Sequence, residues 1–324
     1  MTGNDKQTVL LVGLGRSGTT WVGKIFDSHP NTLYVHEPDN WFKTLPLPLI
    51  SPPGYQTEFN FTEYTQSLYT VSIPKVVGKL PYFPKQYNNA FQNVLIKFNT
   101  YLSKFIAKIS IKIPIKRFIS PKKRSRTILV WKSIESLGRL DLFRKSEAQI
   151  KIIHIVRHPC GYISSILRGE RNKVFDSDFE TSSDYGVFEM LAKTNEALHY
   201  KLDLDSFKKM SALERLSWRW ILINEKAIND AKDYNDYLLL KYEDLCGNPV
   251  EKTKELYSFS NLSWNTQTES FVGKSTSTNN EQYYSIYKDP NHAAMKWKTE
   301  LSADEIKIIM DIVNNSNLKH LYAD

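Results

Sequence analysis

The stretch VGLGRSGTTWVGKIFDSHP, Val12 to Pro30, constrains this chain more than any other. Glycines at 13, 15 and 18 permit sharp turns and let backbone N–H groups approach a ligand closely. The apolar run of residues 8–13 precedes them as a strand, and a helix is predicted from Thr19 to Asp27, ending near His29-Pro30. The amides that open such a helix, with its dipole, form an anion site. Thr19 and Thr20 add hydroxyl donors, and Arg16 adds a planar fork that fits a pair of anion oxygens. Gly13 and Gly18 keep the spacing of a nucleoside-triphosphate loop, yet Thr19 stands where that loop carries its lysine. Without that lysine, and without an evident acidic metal site, a Mg²⁺-dependent P-loop kinase becomes the weaker reading.

The rest of the chain repeats the strand–helix alternation. Residues 32–38 read as a second strand stopped by Pro38, 127–131 as a third, 150–159 as the clearest buried strand, and 236–245 as a fifth. Helices are predicted over IESLGRLDLFRKS, over HPCGYISSILRG closed by Gly169, through most of 186–233, over 249–260, and over 302–314. Ser302 and Glu305 form a capping box for the last of these. Residues 262–300 read as one long polar segment. The pattern predicts an α/β fold, a doubly wound parallel sheet of P-loop type, in a single domain 1–324. A helical, basic insertion interrupts it at about 40–125: irregular over 40–86, helical over 87–113, then a basic loop. In the helical part Val94, Phe98, Tyr101, Leu102, Phe105 and Ile109 form one apolar stripe, with Lys97, Lys104, Lys108 and Lys112 mostly off it.

Charge is distributed unevenly. Between Tyr64 and Ile134 there are 14 Lys or Arg and no Asp or Glu, while the whole chain carries +8, which leaves about −6 for the remainder. A stretch like this is either a solvated face or a patch for an anionic partner. Mean hydropathy is −0.42, and no run of about 18 apolar residues could span a bilayer. The N-terminus lacks a signal-peptide pattern, so a soluble cytoplasmic protein is expected. Cys160 and Cys246, the only cysteines, read as plain buried thiols, and His154, inside a buried strand, as a satisfied core histidine. His29 is placed to cap the exit of the first helix.

RSGTTW in this setting resembles the 5′-phosphosulfate loop of the sulfotransferases that use 3′-phosphoadenosine 5′-phosphosulfate (PAPS). A second match lies far along the chain. In that family a strand ends in arginine, and a serine eight residues later joins it on the 3′-phosphate; here IVRHPCGYISS supplies Arg157 and Ser165. KYEDL, 241–245, is similar to the family's tyrosine-bearing strand end near the adenine, and MKWKTELS, 295–302, to its late basic-tryptophan segment over the nucleotide. The resemblance runs from residue 8 to about 302 and leaves 40–125 unmatched. It implies that Arg16, Ser17, Gly18, Thr19, Thr20, Trp21, Arg157, Ser165, Tyr242, Lys296, Trp297 and Lys298 hold PAPS, with adenosine 3′,5′-bisphosphate as the product.

Sulfuryl transfer between oxygens goes through a loose, in-line state like that of phosphoryl transfer. The enzyme positions the donor, neutralises the leaving phosphate and takes a proton. Arg16, the loop amides and Lys132, just after the third strand, suit the second task. No metal is expected, because one phosphate and one sulfate carry less charge than a triphosphate. His36-Glu37-Pro38 ends the second strand beside the loop, where the carbohydrate sulfotransferases carry a Glu-Pro pair; Glu37 is the implied base and His36 the alternative. With no membrane anchor like that of the Golgi enzymes, a soluble small-molecule or carbohydrate-like acceptor, taking sulfate on a hydroxyl or amine, is expected. Residues 87–126 are a candidate for transient contact with an anionic surface. Two rival readings stay open: a Mg²⁺-dependent P-loop kinase, and a non-catalytic binder of a membrane surface through 87–126. Nucleic acid is the less expected partner, and the oligomeric state is left open.

Overall fold

Successive residues of β1 (Thr8–Val12) divide between two cores: Leu10 and Val12 lie in one, Val9 and Leu11 in the other, and all four are fully buried. A strand covered on both faces has no polar alternation to show, which is why it reads as an unbroken apolar run. The computed structural model describes residues 7–42, 45–106, 114–117, 119–146, 148–173, 180–277, 286–287 and 289–322. Its sheet continues with β2 (Thr32–His36), β3 (Ile128–Ser133), β4 (Ile150–Val156) and β5 (Tyr237–Lys241), all parallel, in the order β2-β3-β1-β4-β5. The strand order thus reverses beside β1, and in such sheets ligands bind at the carboxyl ends of the strands near that reversal.

The helices that frame that edge are α1 (Thr19–Ser28), α2 (Phe61–Leu68), α3 (Ala90–Ile106), α4 (Pro159–Arg171), α5 (Ala212–Ala231), α6 (Tyr242–Gly247), α7 (Thr266–Ser277), α8 (Pro290–Met295) and α9 (Ala303–Asn314). α1 packs Val22, Ile25 and Phe26 on the Val9 face, while α4 and α5 cover the opposite face with Ile163, Trp220 and Ile221. Ser302 and Glu305 make the capping box of α9 as expected.

Several boundaries differ from the sequence reading. β4 stops at Val156, so Arg157 lies just past the strand, and α4 runs through Gly169 to Arg171 because Gly169 is buried inside it. Only Leu140–Arg144 of the IESLGRLDLFRKS segment is helical. The polar stretch 262–300 contains α7 and α8, with Thr268, Phe271 and Ser275 of α7 buried. The insertion folds α2 onto the core through Phe61, Tyr64 and Leu68. Part of its basic charge is structural. Arg117 donates to the carbonyls of Tyr34, Leu68 and Val71, and buried Lys85 pairs with Asp27 at 3.1 Å. Residues 107–113, with Lys108, Ile109 and Lys112, lie outside the described residues.

His154 is fully buried between the Tyr237 hydroxyl and Asn224 Oδ1, each at 2.9 Å. His29 follows α1 as its C-cap, its ring accepting from Asn31 N and contacting the Ser263 carbonyl. Both cysteines are buried free thiols. Desolvation pulls His154 down to about 4. The unfolded chain therefore binds the extra proton first as pH drops. The stability His154 contributes is complete above about pH 6.5 and drains away as pH falls towards 4, about 3 kcal/mol over the window. Urea denaturation of wild type and His154→Asn checks this: the wild-type advantage at pH 7 is expected to shrink by about 2 kcal/mol at pH 5.

Candidate active site

The parallel register puts the carboxyl ends of four strands side by side. Leu11 and His36 each align with Lys132, and Val12 aligns with both Ser133 and His154. The loop after β1, the end of β2, the end of β3 and Arg157 after β4 therefore open on one edge. There they line a single cleft of about 1660 Å³. Arg16, Gly18, Thr19, Thr20, Trp21, His36, Glu37, Lys132, Arg157, Ser165, Tyr242 and Lys296 all face it.

The loop needs its glycines unequally. A Cβ at Gly13 would lie 2.5 Å from the Ile155 carbonyl oxygen, and one at Gly18 2.4 Å from the Tyr242 ring, where φ is also +88°. A Cβ at Gly15 meets nothing closer than Ile134 at 4.0 Å. Gly18→Ala is therefore expected to lower stability by about 2 kcal/mol or more, from left-handed strain plus the clash. Gly15→Ala should stay within about 0.5 kcal/mol of wild type. Urea midpoints of the two variants decide it.

The loop and the distant Arg/Ser pair form one cluster. Arg16 Nε donates to Ser165 Oγ at 3.1 Å, and Arg157 donates to the Arg16 carbonyl at 3.0 Å and to the Ala293 carbonyl at 2.8 Å. Ser165 reaches the edge because it lies on the second turn of α4. Arg157 sits 5.1 Å from the Tyr242 ring centroid, and Trp21 meets that ring edge-on at 6.2 Å. Among the described residues Arg157 Nε is buried without a hydrogen-bond partner, while the two terminal nitrogens hold the carbonyls.

Tyr242 does not end a strand. β5 stops at Lys241 and Tyr242 opens α6, whose first turn holds Glu243 and Asp244, the charges a helix N-terminus favours. Ser17 is buried under the loop and is not among the cleft-lining residues. Neither are Trp297 and Lys298. Trp297 stacks on His158 at 4.5 Å and 10° between planes, and exposed Lys298 reaches back over its ring. Glu300 ties this segment to α4 through Arg168 and Ser164.

On the other side of the loop, Glu37 follows β2 in the left-handed region, φ +46°, with its N–H on the Lys132 carbonyl at 2.8 Å. Pro38, which has no N–H, opens a one-turn helix directly after it. Glu37 pairs with Lys132, and its Oε1 lies 3.6 Å from His36 Nε2. His36 Nδ1 contacts the Tyr34 hydroxyl at 2.8 Å. Burial, then the positive charges of Lys132 and Lys79, hold His36 well below its usual range, so the ring is neutral near pH 7. Arg16 is likewise at positive φ, +77°, and such backbone strain in non-glycine residues gathers at functional sites.

Further residues on the cleft carry no motif in the sequence. Buried Lys24 donates to Asp27 and to the Lys79 and Pro81 carbonyls, clamping the insertion against α1. Lys79 is pushed down to about 8, chiefly by burial and then by Lys104. Tyr101 and Lys104 reach the cleft from α3, and Glu135 and Arg219 line its other side. Their signal would have had to be spatial, since α1, α3, α5 and the loops between them each contribute only one or two of these residues.

The family model described as "Sulfotransferase domain" matches residues 6–316. Carbohydrate sulfotransferase 1 of Danio rerio is 23% identical over 344 residues, an alignment covering 92% of this chain and 74% of the fish protein. Carbohydrate sulfotransferase 2 of Homo sapiens is 23% identical over 349 residues, covering 94% of this chain; the chain spans 63% of that protein's length. Among solved structures, the sulfotransferase domain from the curacin biosynthetic pathway aligns at TM-score 0.46 and 15% identity, covering 95% of this chain and 97% of its own. A mouse sulfotransferase complexed with PAP aligns at 0.42 and 12%, covering 99% and 88%. Among the described residues no helix is long and apolar enough to cross a membrane. With all but its ends inside one family model, the chain belongs to the sulfotransferase domain family, the enzymes whose donor is PAPS.

Proposed function

We propose that this chain moves the sulfuryl group of PAPS to a hydroxyl of a carbohydrate-like acceptor, with Glu37 as the base. The observation that carries the reading is the shared cleft: the glycine loop and the Arg16–Arg157–Ser165 cluster at one end, Glu37, Lys132 and His36 beside the loop. Arg157 and Ser165 hold the 3′-phosphate; the loop amides with Thr19 and Thr20 hold the 5′ group; Tyr242 and Trp21 border the adenine. The acceptor oxygen attacks sulfur in line as the bond from sulfur to the phosphate oxygen breaks. The acceptor's proton passes to a Glu37 carboxylate oxygen, and Lys132 and Arg16 neutralise the phosphate that leaves. Neutral His36 and the Lys132 pair hold the Glu37 carboxylate in place. The carbohydrate part of the reading rests on the named relatives and on the Glu-Pro pair at 37–38.

An acceptor screen with ³⁵S-labelled PAPS tests it. Label is expected on a sugar hydroxyl or a related polar hydroxyl, arriving at least about a hundredfold more slowly in a Glu37→Gln control. ATP-dependent phosphorylation requiring Mg²⁺, with no sulfate transfer, would overturn it.

A further inference from the structure

α3 is built inside out. Its sequence AFQNVLIKFNTYLSKFI turns Ile96, Thr100 and Ser103 towards the protein, so two of its three buried residues are small and polar. Phe91, Val94, Phe98, Tyr101 and Phe105 fall at spacings of three and four, one face of a helix about 25 Å long. That face points to solvent: Phe91 is 74% exposed, Phe98 62% and Phe105 73%. Soluble proteins expose large apolar side chains singly, and a contiguous stripe of five marks a surface that something covers.

The charge around the stripe says what. α3 has no acidic residue, and exposed Lys97 and Lys104 accompany the aromatic face. The stretch from Tyr64 to Ile134 has no acidic side chain to offset them, although part of its own basic charge is held inside the fold, Lys85 with Asp27 and Lys132 with Glu37. A second copy seated on this face would bring its own Lys97 and Lys104 against those of the first. An aromatic apolar face with lysines is the chemistry of a helix lying in the headgroup layer of a membrane. We propose that α3 docks this protein on an anionic lipid bilayer. Tyr101 and Lys104, on the same helix, also line the cleft, so docking sets the cleft mouth along the headgroup layer. The surface is read from the helix itself, and its failure would leave the sulfotransferase assignment standing.

Co-sedimentation of the full chain with vesicles decides it. Binding is expected to vesicles of phosphatidylcholine and phosphatidylglycerol, at least tenfold weaker to phosphatidylcholine alone, and weaker again at 0.5 M NaCl, a salt level chosen so that screening within about 4 Å removes the electrostatic part. Phe98→Ser/Phe105→Ser should weaken vesicle binding at least tenfold. Because both side chains already face solvent, its affinity for adenosine 3′,5′-bisphosphate should stay within about twofold of wild type, which separates lost docking from lost folding. Wild type that ignores anionic vesicles, or a double variant that binds them as wild type does, overturns the proposal. So does a wild-type dimer in light scattering that the double variant dissolves, because it assigns the face to a second copy.

Discussion

Replacing Glu37 by glutamine is expected to lower kcat by roughly 10²–10⁴-fold, the usual contribution of a positioned general base. Affinity for adenosine 3′,5′-bisphosphate should change by less than about threefold, because Glu37 sits beside the loop and makes no part of the Arg157–Ser165 cluster. Glutamine keeps the volume and can still accept from Lys132, so the backbone turn at φ +46° survives. His36→Gln separates the two candidate bases. If Glu37 is the base, His36→Gln loses only the orientation of the carboxylate, about tenfold or less. If the two effects are reversed, His36 Nε2, 3.6 Å from Glu37 Oε1, takes the proton instead. Single-turnover rates with saturating PAPS read both.

The second large effect is at the opposite end of the cleft. Arg157→Ala should weaken adenosine 3′,5′-bisphosphate binding by about 10²–10³-fold, in line with the 2–5 kcal/mol lost when one member of a buried hydrogen-bonded charge pair is removed. Arg157 also donates to the Arg16 and Ala293 carbonyls, so this variant loosens the loop as well as the ligand. Ser165→Ala removes only a hydroxyl at the same cluster and should cost about 1–2 kcal/mol, roughly tenfold, with the fold intact. Calorimetry on both variants, with thermal melts beside it, separates the two causes. Tight binding by both would take the 3′-phosphate away from this cluster.

The sheet was legible because both faces of its strands are buried: Leu10 with Val12 and Val9 with Leu11 leave only an apolar run to read. Arg157 and Ser165 were legible from spacing, since eight residues place the serine two turns into a helix that starts at the strand's end. Periodicity announced α3 but not its orientation. An apolar stripe ordinarily points inward, and here the usual sign is reversed. Trp297 was read as part of a segment over the nucleotide; its ring stacks on His158, more than a hundred residues away, and no local pattern encodes that stack. Lys24 and Lys79 were missed for the same reason: their proximity is made by the packing of the insertion on α1. Tyr242 shows a boundary decided by charge, Glu243 and Asp244 favouring a helix start where the apolar run LLLKY suggested more strand.

One nucleotide is expected to span both anion sites, the glycine loop and the Arg157–Ser165 cluster. Titration of wild type with adenosine 3′,5′-bisphosphate and with adenosine 5′-monophosphate, at one salt concentration, tests it most directly. The two ligands differ only in the 3′-phosphate. The bisphosphate is expected to bind at least about thirtyfold tighter, about 2 kcal/mol, and Ser165→Ala to narrow the gap. Equal affinity for the two, in wild type and variant alike, would contradict it.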